Sequence, residues 1–188
     1  MLRFFCTFTS SFYNMKITSK ILIILLLAAG LFTSSCREKI TYPPVPYIEY
    51  VSFTKIPTTN GIDSKGTLKF SFTDGDGDIG LSESDTLYPF NTGSIYYYDL
   101  FIKYYRKHHG IFLADSLEFT NNCRIPIVTP DGENKSIKGN IEVILFINNP
   151  KPIPIPTYDT ICYDVTLVDR ALNMSNTIRT PDIIVKKK

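Results

Sequence analysis

Short stretches in which apolar and polar residues alternate make up most of the chain after residue 46. The clearest is Thr67–Thr73, where polar residues separate Leu68, Phe70 and Phe72. A period of two residues is typical of a strand with one face in a core and the other in water. No stretch keeps a period near 3.6 residues, so we predict no long helix. Further strands are predicted at Tyr47–Thr54, Tyr96–Arg106, Ile111–Phe119, Cys123–Val128, Asn140–Ile147, Thr160–Val168 and Thr177–Val185.

The segments between these strands contain turn formers and strand breakers. His108-His109-Gly110 predicts a hairpin turn, and Pro126 limits its segment to an edge strand or a bulge. The four prolines of Asn149–Pro156 remove four backbone donors, so this segment is predicted to be a stiff exposed connection. Together the pattern predicts an all-β fold, an antiparallel β-sandwich of about seven strands over residues 47–188.

The end of the chain resembles the closing strands of immunoglobulin-like and fibronectin type III domains. Tyr163, Val165 and Leu167 alternate with polar residues, and a polar turn, Asp169–Asn176, follows before the last strand. The resemblance implies an immunoglobulin-like sandwich. The chain contains no Trp and no cysteine pair of immunoglobulin spacing, which favours a fibronectin-like relative or a more general sandwich.

A secretory leader precedes the predicted sandwich. A short basic segment, Met15–Lys20, is followed by the apolar run Ile21–Leu31, by Thr33–Ser35 and then by Cys36. The apolar run is too short for a helix that crosses a hydrocarbon core of about 30 Å, so residues 1–35 are predicted to be a signal peptide. Met1–Asn14 does not fit this arrangement, and translation is predicted to start at Met15.

The small residues directly before Cys36 resemble the lipobox of small Bacteroidetes-type bacterial lipoproteins. The resemblance implies that the Cys36 thiol receives a diacylglyceryl group, that the leader is cut before it, and that the new N-terminus is acylated. Thr33 stands where that family prefers Leu. Several acyl chains give stable anchoring, with residues 36–46 as an extended tether. The implied location is the cell envelope, at the outer membrane. The alternatives are an ordinary secretory leader and an uncleaved anchor.

The charge of the chain argues against a nucleic-acid partner. The whole chain has 20 Lys and Arg against 18 Asp and Glu, but three of the basic residues lie in the leader, which has no acidic residue. The remaining 17 basic and 18 acidic residues make a nearly neutral domain with no electrostatic attraction to phosphates. Lys186–Lys188 is predicted to be a solvated end.

The sharpest chemical signal is Asp74-Gly75-Asp76-Gly77-Asp78-Ile79-Gly80. Carboxylates at every second residue of a glycine-rich loop can converge on a calcium ion, which takes six to eight oxygens. The loops after the second and sixth strands of a sandwich lie at the same end, so Asp169 is predicted to join Asp74, Asp76 and Asp78. Two alternatives remain, an ion-pair cluster with Arg170 and a solvated acidic turn.

The calcium loop differs from a helix–loop–helix calcium site in its details. Asp85 falls at the twelfth position of such a loop, where Glu is usual, and Ile79 replaces the glycine of the sharp turn. The same end of the predicted sandwich also contains Asn173 and Asn176, which are expected to approach the acidic loop.

Other residues suggest weaker hypotheses. The aromatic Tyr96–Tyr105 segment, with Tyr97 and Tyr105, could stack on sugars, although core packing is the better interpretation. Cys123 and Cys162 could be bridged in an oxidising compartment, but strand parity points their side chains to opposite faces.

The sequence contains no catalytic motif such as GxSxG or HExxH. We therefore predict a non-enzymatic, lipid-anchored envelope lipoprotein that is held to the membrane by its lipid. Its role would be binding or assembly with a protein or glycan partner that the sequence does not identify. The alternative is a carbohydrate-binding accessory module of an outer-membrane glycan system. A hydrolase with paired carboxylates is a third class.

Overall fold

The computed structural model describes residues 17, 40–56, 58–115, 117, 120–129, 136–149 and 155–187. The predicted leader, apart from Ile17, and the predicted lipidation site Cys36 lie outside these residues. One compact unit extends from Thr41 to Lys188. Its strands are β1 (Tyr47–Ile56), β2 (Lys65–Asp74), β3 (Leu100–His108), β4 (Ile111–Ala114), β5 (Ile137–Phe146), β6 (Tyr158–Leu167), β7 (Ile178–Arg179) and β8 (Ile183–Lys186).

The strands form two antiparallel sheets that pack face to face, which confirms the predicted all-β sandwich. One sheet has the order β1-β2-β5, and the other has β4-β3-β6-β7, with β8 also paired to β6. Strands 1, 2 and 5 therefore share one sheet and strands 3 and 6 the other. This is the division seen in immunoglobulin-like sandwiches, where A, B and E face C, F and G.

The core lies between the two sheets and follows the alternation of the sequence. In β2, Leu68, Phe70 and Phe72 are buried as predicted. Tyr163 of β6 is fully buried, and its ring lies 5.7 Å from that of Tyr104. Burial of each such side chain stabilises the fold by about 1.5–3 kcal/mol. The Tyr163 hydroxyl donates a 2.8 Å hydrogen bond to the carbonyl oxygen of Phe146, so its polar atom is satisfied inside the core.

Side-chain amides replace missing strand neighbours at three places. The Asn176 amide bonds both the N–H and the carbonyl of Ile48 in β1, each at 2.8 Å. Asn121 makes the same pair of bonds to Phe146 in β5, at 3.1 and 3.2 Å. Asn122 accepts a bond from Ile102 N–H in β3 at 2.7 Å. These amides satisfy backbone groups that none of the described strands reaches.

Several predicted strand boundaries were wrong. Ser94 accepts a hydrogen bond from Tyr96 N–H and begins a 3₁₀ turn, Ile95–Tyr97, so β3 starts only at Leu100. The hairpin turn at His109-Gly110 is confirmed, but β4 ends at Ala114 and does not reach Phe119. In place of the predicted strand Cys123–Val128 there is a single bridge between Cys123 and Leu100.

The predicted last strand is divided into β7 and β8, and with Cys123–Val128 not formed as a strand the total is eight, close to the predicted number of about seven. The break lies at Thr180–Asp182, where Pro181 has no N–H to donate and the Thr180 hydroxyl accepts a bond from Tyr163 N–H. The burial of β5 alternates along the strand, and its apolar residues Ile144 and Phe146 are exposed on the outer face.

Both ends of the described unit are held against the sandwich. A Cβ atom on Gly75 would lie 2.3 Å from the carbonyl oxygen of Tyr42, so the end of the predicted tether packs closely on the acidic loop. At the other end, the Lys187 side chain is buried and lies 3.3 Å from Asp159, so the basic tail is not simply a solvated end. Among the described residues, no helix is long and apolar enough to cross a membrane.

Candidate metal site at one end of the sandwich

Two loops meet where β2 and β6 end. The loop after β2 begins at Gly75, and the loop after β6 begins at Val168. Arg170 N–H donates to the carbonyl of Asp78 at 3.2 Å, and Ala171 N–H donates to Asp78 Oδ2 at 3.0 Å. The predicted juxtaposition of the two loops is therefore present, and Asp78 links them directly.

The four acidic residues predicted to bind calcium lie together. One carboxylate oxygen from each of Asp74, Asp76, Asp78 and Asp169 lies within 4.8 Å of the other three. Two oxygens that bind one ion at about 2.4 Å can be at most about 4.8 Å apart. The spacing is therefore the one that four ligands of a single calcium ion require.

The cluster contains carboxylate oxygens without partners in a buried position. Asp74 is 0% exposed and Asp169 2% exposed. Asp74 Oδ2 accepts a bond from Asp78 N–H at 3.1 Å, but its Oδ1 has no hydrogen-bond partner among the described residues, and neither has Asp78 Oδ1. A buried charged oxygen without a partner costs considerable free energy. A bound cation would remove that cost.

Burial and mutual repulsion change the acidity of the site. Burial, together with the neighbouring charges of Asp76 and Asp78, raises the pKa of Asp74 to about 6. Burial likewise raises the pKa of Asp78 to about 6, together with the charges of Asp169 and Asp76. These shifts arise because several negative charges share a poorly solvated volume.

Arg170 does not neutralise the cluster. Its guanidinium forms a two-pronged ion pair with Asp85, at 2.7 and 3.0 Å, and holds the pKa of Asp85 at about 2. Asp85 also accepts bonds from the backbone and hydroxyl of Ser82, and it is not part of the four-residue cluster. The alternative of an ion-pair cluster between Arg170 and the aspartates was therefore wrong.

The two asparagines expected near the site differ in role. Asn173 donates from its backbone to Asp169 Oδ1 at 2.7 Å and from its side chain to Oδ2 at 2.8 Å. These bonds orient the Asp169 carboxylate. Asn176 does not take part, because its amide is used by β1.

The donor set fits calcium better than other common metals. All four candidate ligands are carboxylates, whereas zinc sites in proteins usually contain Cys or His. Magnesium usually keeps several waters and uses one or two carboxylates, while calcium accepts many oxygens in a flexible arrangement. The loop geometry is suited to wrapping an ion, since Gly77 has a φ of 66° and turns the chain between Asp76 and Asp78.

One residue important to this end of the molecule was missed in the sequence. The Arg124 guanidinium donates to the backbone carbonyls of Ser82, Asp85, Phe90 and Tyr97, at 2.9–3.3 Å. It thereby holds the loop between β2 and β3 in one conformation. Backbone carbonyls leave no pattern in a sequence, so no signal could have identified these acceptors.

The other candidate residues are not arranged as a site. The Tyr105 ring is covered by Arg179 at 4.7 Å, and the Tyr97 ring by Arg124 at 5.1 Å. A groove of about 720 Å³ crosses the outer face of β3 and includes Phe101 and Tyr105. Cys123 and Cys162 are both free thiols, so the disulfide that the sequence left open is not formed.

The chain matches no protein-family model, no curated protein and no solved structure.

Proposed function

We propose that this chain is a lipid-anchored cell-envelope protein whose β-sandwich is a calcium-stabilised binding or assembly module without catalytic activity. The observation that supports it most strongly is the convergence of Asp74, Asp76, Asp78 and Asp169, with two carboxylate oxygens that lack partners among the described residues. The envelope location is supported by the leader and by Cys36.

The calcium would act as a structural ion. Asp74 is the last residue of β2 in one sheet, and Asp169 follows β6 in the other sheet. An ion bound by both residues would join the two sheets at this end. It would also offset the repulsion that raises the pKa values of Asp74 and Asp78.

Calcium titration of the metal-free protein in a calorimeter tests this proposal. We expect one ion per chain, and Asp76→Asn should weaken binding at least about tenfold because the ion loses one charged ligand. Asp76 is the suitable variant because it is exposed and makes no described hydrogen bond, so the fold does not depend on it. Glu83→Gln is the matched control, since it removes an exposed charge from the same loop outside the cluster.

Two calorimetric results would count against the calcium site. Absence of heat from calcium, or equal binding by the parent and Asp76→Asn, would contradict the metal site. Chelation by EDTA should also lower the melting temperature of the parent, and lower that of Asp76→Asn by less.

Lipid attachment is tested separately through the thiol of Cys36. Cells fed with labelled palmitate should incorporate label into the parent and not into Cys36→Ser, because that thiol is the proposed site of the diacylglyceryl group. Cys123→Ser serves as the control, since it removes a thiol in the sandwich. Label that persists in Cys36→Ser would refute the anchor while leaving the calcium site intact.

A glycan ligand is the weaker candidate. The groove on the outer face of β3 has a suitable size for a small ligand. Guanidinium groups cover the rings of Tyr97 and Tyr105, however, so the two rings that the sequence singled out for sugar stacking are not bare. The acidic cluster therefore supports the metal-stabilised module more directly.

A further inference from the structure

One loop exposes the most solvent-accessible large apolar side chains among the described residues between 40 and 187. Leu87 is 81% exposed, Tyr88 88% and Ile95 73%. Single exposed apolar residues are common on protein surfaces and need no explanation. Three in one loop, each more exposed than any other large apolar residue described between positions 40 and 187, are a reason to look for a function.

This loop is held in place and does not bury those side chains elsewhere. Arg124 bonds the carbonyls of Asp85 and Phe90, which lie on either side of Leu87 and Tyr88. It also bonds the carbonyl of Tyr97, close to Ile95. These bonds hold the backbone of the loop while its apolar side chains stay in water. Such an arrangement is typical of a binding surface, whose apolar side chains contact another apolar surface.

The loop leaves the sandwich at the end where the predicted tether enters. Tyr47, the first residue of β1, is paired with Thr73 near the end of β2. The tether packs on Gly75 through Tyr42, as a Cβ there would lie 2.3 Å from the Tyr42 carbonyl oxygen. Residues 41–46 and the loop that starts at Gly75 therefore occupy the same end.

The chain between Cys36 and Tyr42 is short. Six residues span at most about 21 Å when fully extended. If Cys36 is lipidated, the Gly75 end of the sandwich cannot move farther than this from the membrane surface. A bilayer is consequently the apolar phase that this end must approach.

We propose that Leu87, Tyr88 and Ile95 insert into the interface of the bilayer that holds the lipid of Cys36, so that the sandwich has a second membrane contact. The proposal rests on the lipid anchor proposed above. Tyr is a residue typical of the membrane interface, and Leu and Ile suit the adjoining acyl region.

The charge of the loop indicates the type of lipid. Residues 75–99 contain no Lys or Arg and several acidic residues, among them Asp76 and Glu83. Such a loop gains nothing from anionic lipids and would be repelled by them. The contact is therefore with a zwitterionic surface. Calcium bound at the aspartate cluster would reduce the negative charge that repels anionic lipids.

The absence of Trp from the chain allows a direct test. Tyr88→Trp places a single fluorophore at the proposed contact in the full lipid-modified protein, reconstituted with calcium into phosphatidylcholine vesicles with brominated acyl chains. Ile111→Trp is the matched control, because Ile111 is 66% exposed and follows the turn at the far end of β3. We expect emission from Trp at position 88 to shift to the blue and to be quenched several-fold more strongly than emission from position 111.

The vesicle assay separates this inference from the anchor itself. If the protein floats with the vesicles and both positions are quenched equally or not at all, the membrane contact is overturned and the anchor stands. The loop would then meet a protein or a second copy of the chain. If the parent protein does not float with vesicles, the anchor and the inference both fail. Addition of Leu87→Ser and Ile95→Ser to the Tyr88→Trp chain should reduce the quenching.

Discussion

At the scale of single residues, the two raised pKa values at the acidic cluster determine how stability depends on pH. A carboxyl whose pKa is about 6 in the folded state and 3.8 in the reference state binds its proton more tightly when folded. Its stabilising contribution is therefore complete below about pH 4 and is lost as the pH rises through about 6. For the fully buried Asp74, the shift corresponds to about 3 kcal/mol.

We expect the metal-free protein to lose stability between about pH 4 and pH 7, and saturating calcium to remove this loss because it binds the ionised carboxylates. Urea unfolding at a series of pH values, with calcium and with EDTA, measures both effects. Asp74→Asn should be more stable than the parent at pH 7 in EDTA and should gain little from calcium. Burial also raises the pKa of Asp99 to about 6, which adds a fall in the same range that calcium does not remove.

Metal-free stability that increases between pH 4 and pH 7 would contradict this assignment. Asp85, with a pKa near 2, contributes in the opposite sense, because its ion pair with Arg170 is lost only at lower pH. The two effects occupy separate ranges of pH. They can therefore be distinguished in one titration.

At the scale of secondary-structure elements, local alternation was sufficient to find the central strands but not their ends. β2 and β6 were predicted within two residues at each end, since both alternate regularly and lie within the core. β3 was predicted four residues too early, because the aromatic residues Tyr96–Tyr98 have high strand propensity whatever structure they adopt. The Ser94 cap that starts the 3₁₀ turn decided the outcome.

The convergence of the four aspartates was predictable because these residues lie at fixed points of a common fold. Asp74, Asp76 and Asp78 follow one strand, and the sandwich topology places the loop that begins near Asp169 beside them. The side-chain contacts that fix the loops could not be predicted in the same way. Asn176 was assigned to the site but pairs with β1, and Arg124 binds carbonyl groups of a distant loop. Such contacts depend on which distant segments the fold brings together, and a local sequence pattern does not contain that information.

At the scale of the whole molecule, one end of the sandwich contains the acidic cluster, the entry of the tether and the exposed apolar loop. The opposite end contains the turn between β3 and β4. If the proposed anchor and loop contact are correct, the cluster end faces the bilayer and the turn at His109-Gly110 points away from it. The outer face of β3, with its groove, would then remain accessible to a partner.

Because Asp74 and Asp169 come from different sheets, a calcium ion bound to both should stabilise the whole sandwich and not only its loops. Ligand at 100 times its dissociation constant stabilises the folded state by about 2.7 kcal/mol, which slows exchange through global unfolding about 100-fold. We expect the most protected amides of β2 and β6 to show the same slowing when hydrogen exchange is measured with and without calcium. Asp76→Asn at equal calcium is the control, and its slowing should be at least about tenfold smaller than that of the parent. Slowing that is confined to residues 75–80 and 168–176 would mean that the ion orders the loops without joining the sheets.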